Sequence, residues 1–178
     1  VDWGLYFQII KKNDEYMCEP ISCNHLINLS KSHTILMRVD VNSSDIEQFV
    51  TNSFSSWERV SHIGFMSRYP QVIRLVKKIR PMWSYGASLV DQVRLKFFEG
   101  IKLEVVPSLL PDFWPVFIDQ ASSVQMLSPR LRAELERRQK VVVCESISQK
   151  EHWELAQSLG CHAYVVEEDL FHRLKSEL

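Results

Sequence analysis

Charged and hydroxyl side chains collect where this sequence predicts the ends of strands. Arg38 and Asp40 stand at alternate positions closing the run T-I-L-M-R-V-D, so they share one face. Ser67 and Arg68 follow an apolar run that ends at Met66, Glu145 and Ser146 close K-V-V-V-C-E-S, and Asp119 follows Phe117 and Ile118. Glu167 and Glu168 end the run A-Y-V-V. Carboxylates at one rim could hold a cation or a cationic ligand, and a His beside a strand-end Ser could activate a nucleophile. Neither pattern is complete. The histidines are dispersed, and none is spaced to pair with Ser67 or Ser146. His62 reads as a core residue within a strand. His25 and His33 flank an irregular loop where an acid/base could stand, and His152, His162 and His172 fall on helix or loop faces. The plainer reading is preferred: a solvated loop edge in which Arg38 and Arg68 are counter-ions to the carboxylates.

The bulk properties exclude several classes. A net charge of −1 gives no electrostatic case for nucleic acid or an anionic membrane. Glycine is scarce, with 5 residues in 178, and neither G-x-x-x-x-G-K-[ST] nor G-x-G-x-x-G occurs. No apolar run approaches the ~18 residues of a membrane-spanning helix. Cys18, Cys23, Cys144 and Cys161 contain no C-x-x-C pair, and the last two fall in or beside core strands. Buried thiols are therefore expected rather than disulfides or zinc, which favours a reducing, cytoplasmic compartment. The apolar share of 46% and the length suit one domain spanning residues 1–178.

The elements that must position these residues alternate between strand and helix. Leu5–Ile10, a polar turn at 11–15 and Tyr16–Cys18 read as a hairpin. Pro20–His33 is irregular, and Thr34–Val41 is a strand. Ser44 with Glu47 forms a capping box before the stripe Ile46, Phe49 and Val50. Val60–Met66 is a strand. Ser67–Pro70 is its exit loop, and Val72, Ile73, Val76 and Ile79 mark a helix stopped by Pro81. Trp83–Ala87 is a short strand, Leu89–Phe98 a helix or a loop with helical turns, and Ile101–Val106 strand-like. Phe113, Trp114 and Phe117 lie among prolines, as packing beneath a loop or as an exposed lip for a lipid or partner; packing is preferred.

The last third is the clearest. Ser128 caps a helix with Pro129 at its first position, and Leu131 and Leu135 face inward. Val141–Cys144 is an apolar strand covered on both faces, Ser148 with Glu151 caps the next helix, Gly160 ends it, and Ala163–Val166 is another covered strand. Strands of this kind with helices between them predict an α/β fold with a parallel sheet, either a (β/α) barrel or a doubly wound open sheet.

Two stretches carry a resemblance. The run V-S-H-I-G-F-M-S-R-Y-P-Q-V-I-R-L-V-K-K-I-R-P, residues 60–81, resembles the mid-barrel unit of the glycerophosphodiester phosphodiesterases. There a strand ends in Ser, a turn with an aromatic residue and Pro follows, and a helix runs to a further Pro. Residues 122–170 are similar to the close of that family. The resemblance covers about half the chain and implies a (β/α)8 TIM-type barrel, incomplete or entered at its second strand. It also implies a small phosphodiester or lipid-derived ligand, with Ser67, Arg68, Ser146 and Glu167 as ligand-facing candidates. An active member would need Ca or Mg to neutralise phosphate and a His to move a proton.

The departures shape the expected function. The first-strand His-Arg-Gly has no counterpart. The metal-binding Glu-x-Asp would fall near Gly4 and Tyr6, the acid/base His-Asp near Pro20 and Ile21, and the Glu-x-Lys on Arg38 and Asp40. Glu145-Ser146 stands where the family has Trp-Thr. The resemblance thus implies no metal ligands, Arg38, Asp40 and Glu145 as the remaining catalytic candidates, and a degenerate domain acting as a binding, regulatory or assembly module, with a protein partner as the other possible ligand. The alternative is an active metal-dependent phosphodiesterase acting on glycerophosphodiesters or lysophospholipids, with part of its site outside this chain. A third reading, the EAL-type cyclic dinucleotide phosphodiesterases, rests on Glu145 and Glu104. The separation of 41 positions from Glu104 to Glu145 leaves too little room for that family's intervening strands, and no Asp-Asp occurs.

Overall fold

The computed structural model describes residues 4–19, 34–57, 63–100, 115–119 and 128–177. They divide into two compact units, residues 1–93 and 94–178.

The first unit is built on a five-stranded sheet. β1 (Gly4–Lys12) turns into β2 (Glu15–Glu19), and β3 (Thr34–Val39), β4 (Ile63–Met66) and β5 (Ser84–Tyr85) follow in the order β2-β1-β3-β4-β5. β2 pairs antiparallel with β1, and the remaining pairs are parallel. Lys12 faces Glu15, which leaves a two-residue turn with Asn13 at φ 50° and Asp14 at φ 63°. Those angles suit the twist of a hairpin, and Asn and Asp tolerate them better than most residues.

Alternation splits the sheet into two faces. Ile9, Ile35, Met37, Val39, Ile63 and Phe65 are buried against α1 (Ile46–Ser53) and α2 (Pro70–Ile79), together with Val50, Val72, Val76, Phe54, Trp57 and Trp83. Tyr6, Gln8, Leu36, Arg38, Gly64 and Met66 occupy the opposite positions. A Cβ on Gly64 would lie 2.7 Å from Leu36 Cδ1, so glycine here lets the neighbouring strand's leucine sit close.

Arg80 closes this unit. It is 6% exposed, and its guanidinium donates to the carbonyls of Ile79 at 3.1 Å, Thr51 at 3.5 Å and Phe54 at 3.4 Å. A cation at the ends of α1 and α2 satisfies carbonyls those helices leave open and complements their dipoles. α3 (Leu89–Gly100) starts on a reciprocal cap: Ser88 Oγ accepts from Asp91 N at 3.3 Å, and Ser88 N donates to Asp91 Oδ2 at 3.0 Å. The stretch expected as helix or loop is therefore helix, and the division between the units falls within it.

The second unit holds three parallel strands in the order β6-β7-β8: β6 (Pro115–Asp119), β7 (Val141–Ile147) and β8 (Ala163–Val166). α4 (Pro129–Arg137), α5 (Lys150–Ser158) and α6 (Glu168–Glu177) alternate with them. Ser128 caps α4 as its sequence predicts, with Leu131 N donating to Ser128 Oγ at 3.2 Å, and Leu131 and Leu135 are buried. Gly160 ends α5 at φ 67°. β8 differs from expectation: its residues are half-buried, as befits the outer position it holds in the described sheet.

Several expectations are corrected. α1 begins after Asp45, not Ser44, because the hairpin draws the Asp45 carboxylate away from the helix end. It accepts from Lys11 Nζ at 2.9 Å, Tyr16 Oη at 2.5 Å and Ser43 Oγ. α5 begins after Gln149 with no side-chain cap, because β7 runs on to pair Ile147 with Val166 and delays the turn. Cys18 is disulfide-bonded rather than a free thiol. Cys144 and Cys161 are free and buried as expected. Among the described residues no helix is long and apolar enough to cross a membrane. The expectations for Pro20–His33, His62, Ile101–Val106, Phe113 and Trp114 fall outside the described residues.

Candidate functional site

Parallel strands bring their C-terminal ends to one edge of a sheet, and the loops there can converge on a ligand. In the first unit this edge is set by register. Gln8 of β1 lies beside Arg38 of β3, Arg38 beside Met66 of β4, and the chain continues from those strands to Asp40 and Arg68.

These side chains form one cluster. Asp40 Oδ2 accepts from Arg38 Nε at 2.8 Å and from Gln8 Nε2 at 3.1 Å, while Oδ1 lies 3.4 Å from Arg68 Nε. The Asp40 side chain is 18% exposed and that of Arg68 51%. Two guanidiniums therefore flank one carboxylate. Ser67 is buried beside it, and its Oγ accepts from Tyr69 N at 3.1 Å, which shapes the turn into α2.

The cluster confirms that Arg38 and Asp40 share a face and adds Gln8, which the sequence reading did not single out. Gly4 faces Thr34 at the start of the parallel pair, and Gln8 stands beside Arg38 near its end. Gln8 offers an amide and Tyr6 a phenol where a hard cation would need carboxylates. Among the described residues Asp40 is the carboxylate of this cluster, and its oxygens face two guanidiniums and an amide. These residues do not fit Ca or Mg. Among the described residues, no group of three or more His, Cys, Asp or Glu side chains is gathered to hold a metal ion.

The second unit places the other candidates. Asp119 and Glu145 face each other across β6 and β7, and Glu145 is 6% exposed. Between Cys144–Tyr164 and Ile147–Val166 the register shifts, so β7 spends one more residue than β8. Glu145 and Ser146 are the residues inside that bulge, a device that re-aims side chains. Glu167 is exposed, and its N–H donates to the Ile147 carbonyl at 3.0 Å, fixing the step from β8 into α6. The acidic run that follows occupies the first turn of that helix, where negative charge is favourable. Of the histidines, His162 Nδ1 accepts from Val142 N at 3.1 Å, a structural bond at the head of the sheet.

Comparison with known proteins places this architecture. No protein-family model matches the chain, and no curated protein matches its sequence. Solved structures do. A candidate glycerophosphoryl diester phosphodiesterase from Agrobacterium tumefaciens superposes with TM-score 0.63 at 11% identity, over 98% of this chain and 85% of that one. A glycerophosphodiester phosphodiesterase from Parabacteroides distasonis gives 0.62 at 8% identity, over 98% and 84%. An Oleispira antarctica phosphodiesterase, solved with its product sn-glycerol-3-phosphate, gives 0.55 at 10% identity, over 85% and 57%. The chain has an α/β fold with mostly parallel strands, similar to the barrels of those enzymes. Its strands, among the described residues, form two sheets and no closed ring. At such identities the likeness speaks for the fold, and the side chains must speak for the chemistry.

Proposed function

We propose that the chain is a glycerophosphodiester phosphodiesterase-like barrel domain that binds a small phosphodiester or lipid-derived phosphate and does not hydrolyse it. One observation carries the reading: at the strand ends of the first unit, two guanidiniums converge on one partly buried carboxylate. A site built to hold a divalent cation presents carboxylates with spare lone pairs. Here two guanidiniums surround the carboxylate, and guanidinium forks match the geometry of phosphate oxygens. Asp40 would keep Arg38 and Arg68 oriented, and the more exposed Arg68 would turn toward the ligand. The glycerol phosphate bound by the Oleispira neighbour supports a ligand of this chemical class. The domain would then act as a binding or regulatory module.

The test is turnover. The full-length protein is incubated with glycerophosphocholine and with a lysophospholipid, each with added Ca or Mg, and products are read by mass spectrometry. The expected result is no product above the rate without protein. Metal-dependent release of glycerol phosphate would instead establish the active phosphodiesterase, completed by residues outside this chain.

A further inference from the structure

We propose that the outer face of α2, with Met82 and the exposed start of α3, docks the first unit on an anionic phospholipid bilayer. This surface goes beyond the phosphate-binding proposal and does not depend on it.

Charge is the first observation. A net charge of −1 gives no attraction to such a surface, but it hides an uneven distribution. From Arg59 to Val90 the sequence holds six Lys and Arg and no Asp or Glu. The fold sorts these cations. Arg80 is buried at the carbonyls of Thr51, Phe54 and Ile79, Arg68 lies 3.4 Å from Asp40, and Lys77 lies over the Tyr85 ring at 6.0 Å. Arg74 and Lys78 are exposed, one turn apart on α2, on the side away from the buried Val72 and Val76. Arg74 donates to the Pro70 carbonyl of its own helix at 3.4 Å. Among the described residues, neither Arg74 nor Lys78 has a carboxylate partner. A layer of anionic headgroups complements such a face.

Apolar exposure is the second observation. Trp83 N donates to the Arg80 carbonyl at 3.2 Å, so Pro81 and Met82 are the middle of a tight turn that ends α2. Trp83 is buried in the core, whereas Met82 is 61% exposed. Val90 and Val93, at i and i+3 on α3, are exposed at 43% and 60%. Among the described residues of this unit, Met17 is the one comparably exposed large apolar side chain that lies elsewhere. Single exposed apolar groups need no explanation, but three that follow a basic, acid-free run do.

Together the two observations select the partner. A soluble polyanion such as nucleic acid would satisfy Arg74 and Lys78 through its phosphates and leave Met82, Val90 and Val93 in water. A bilayer takes both kinds of group. Its anionic headgroups attract the cations, and the boundary with the acyl chains accepts thioether and isopropyl groups. With two unpaired cations and three small anchors, the attachment is peripheral and reversible.

The experiment sediments the full chain with phosphatidylcholine vesicles that contain or lack phosphatidylserine. The chain should pellet with the anionic vesicles, stay in solution with phosphatidylcholine alone, and be released by added salt. None of these readings needs a variant. Arg74→Gln combined with Lys78→Gln should lower partition at least about tenfold. Met82→Ser combined with Val93→Ser should lower it severalfold. Calorimetric binding of sn-glycerol 3-phosphate should persist in both double variants, because all four residues lie outside the Asp40 cluster, so failure of the membrane face and failure of the phosphate site are read separately. Equal partition onto phosphatidylcholine alone would overturn the proposal, as would no partition onto either vesicle or full retention by the Arg74/Lys78 variant. Binding to soluble polyphosphate in place of vesicles would also overturn it and assign the face to a polyanion.

Discussion

The two units solve one problem in different ways: each must keep polar groups at the C-terminal ends of parallel strands next to an apolar core. The first uses side chains. Gln8, Arg38 and Arg68 come from three places in the sequence to surround Asp40. The second uses backbone, giving β7 an extra residue at Glu145 and Ser146. A cluster held by side chains keeps its charge balance only while every partner is present. A bulge keeps its shape through the flanking pairs. The first unit should therefore be the one where conservative substitutions change electrostatics, and the second the one where backbone changes matter.

The contrast is sharpest at Arg80. Replacing it with Met keeps most of the volume but leaves the carbonyls of Thr51 and Ile79 without this donor and that of Phe54 with the Trp57 N–H alone. The expected loss is about 2–3 kcal/mol of unfolding free energy, in the range for buried hydrogen bonds to a charged group. Denaturant unfolding followed by tryptophan fluorescence reads it, since Trp57 and Trp83 pack in that core. A neutral result would show that the first unit does not depend on the cation.

In the second unit the corresponding change is to backbone. Gly160→Ala forces a Cβ onto a residue at φ 67° and displaces the Arg132 guanidinium. The flexible end of Arg132 can move, so the cost is mainly the left-handed conformation, about 1 kcal/mol. The same denaturation experiment checks it, and no loss would mean that the turn relaxes freely.

Much of this frame was legible in the sequence. The hairpin, the Ser128–Pro129 start, the inward Leu131 and Leu135 and the parallel pairing of the last strands follow from local pattern. The helix caps show where local pattern stops. Ser44 and Ser148 have the spacing of a capping box and do not cap, whereas Ser88 with Asp91 does. In the first case the Asp45 carboxylate at the helix start is instead claimed by a hairpin far away in sequence, and no window around it contains that information. Gln8 and Arg80 escaped notice for the same reason: their partners lie 32 and 26 residues away. The bulge exists only relative to β8, so the sequence of β7 alone cannot announce it.

The smallest effect expected is at Asp45. Hydrogen bonds from Ser43, Tyr16 and Lys11 hold its carboxyl well below the usual carboxylate range. A depressed folded pKa stabilises the protein above the unfolded value, near 4, and that contribution is lost as pH falls through the folded value. Asp45→Asn should therefore flatten the acid limb of a stability–pH curve and leave its slope near neutrality unchanged. An unaltered acid limb would show that these bonds do not persist in solution.

Calorimetric titration with sn-glycerol 3-phosphate, with and without a chelator of divalent ions, tests the phosphate site most directly. The account predicts binding that survives the chelator, weakens with added salt and falls at least about tenfold in Arg38→Gln and in Arg68→Gln, as expected when a charge-assisted contact is removed. Binding that requires Ca or Mg, or that both variants retain in full, would contradict it.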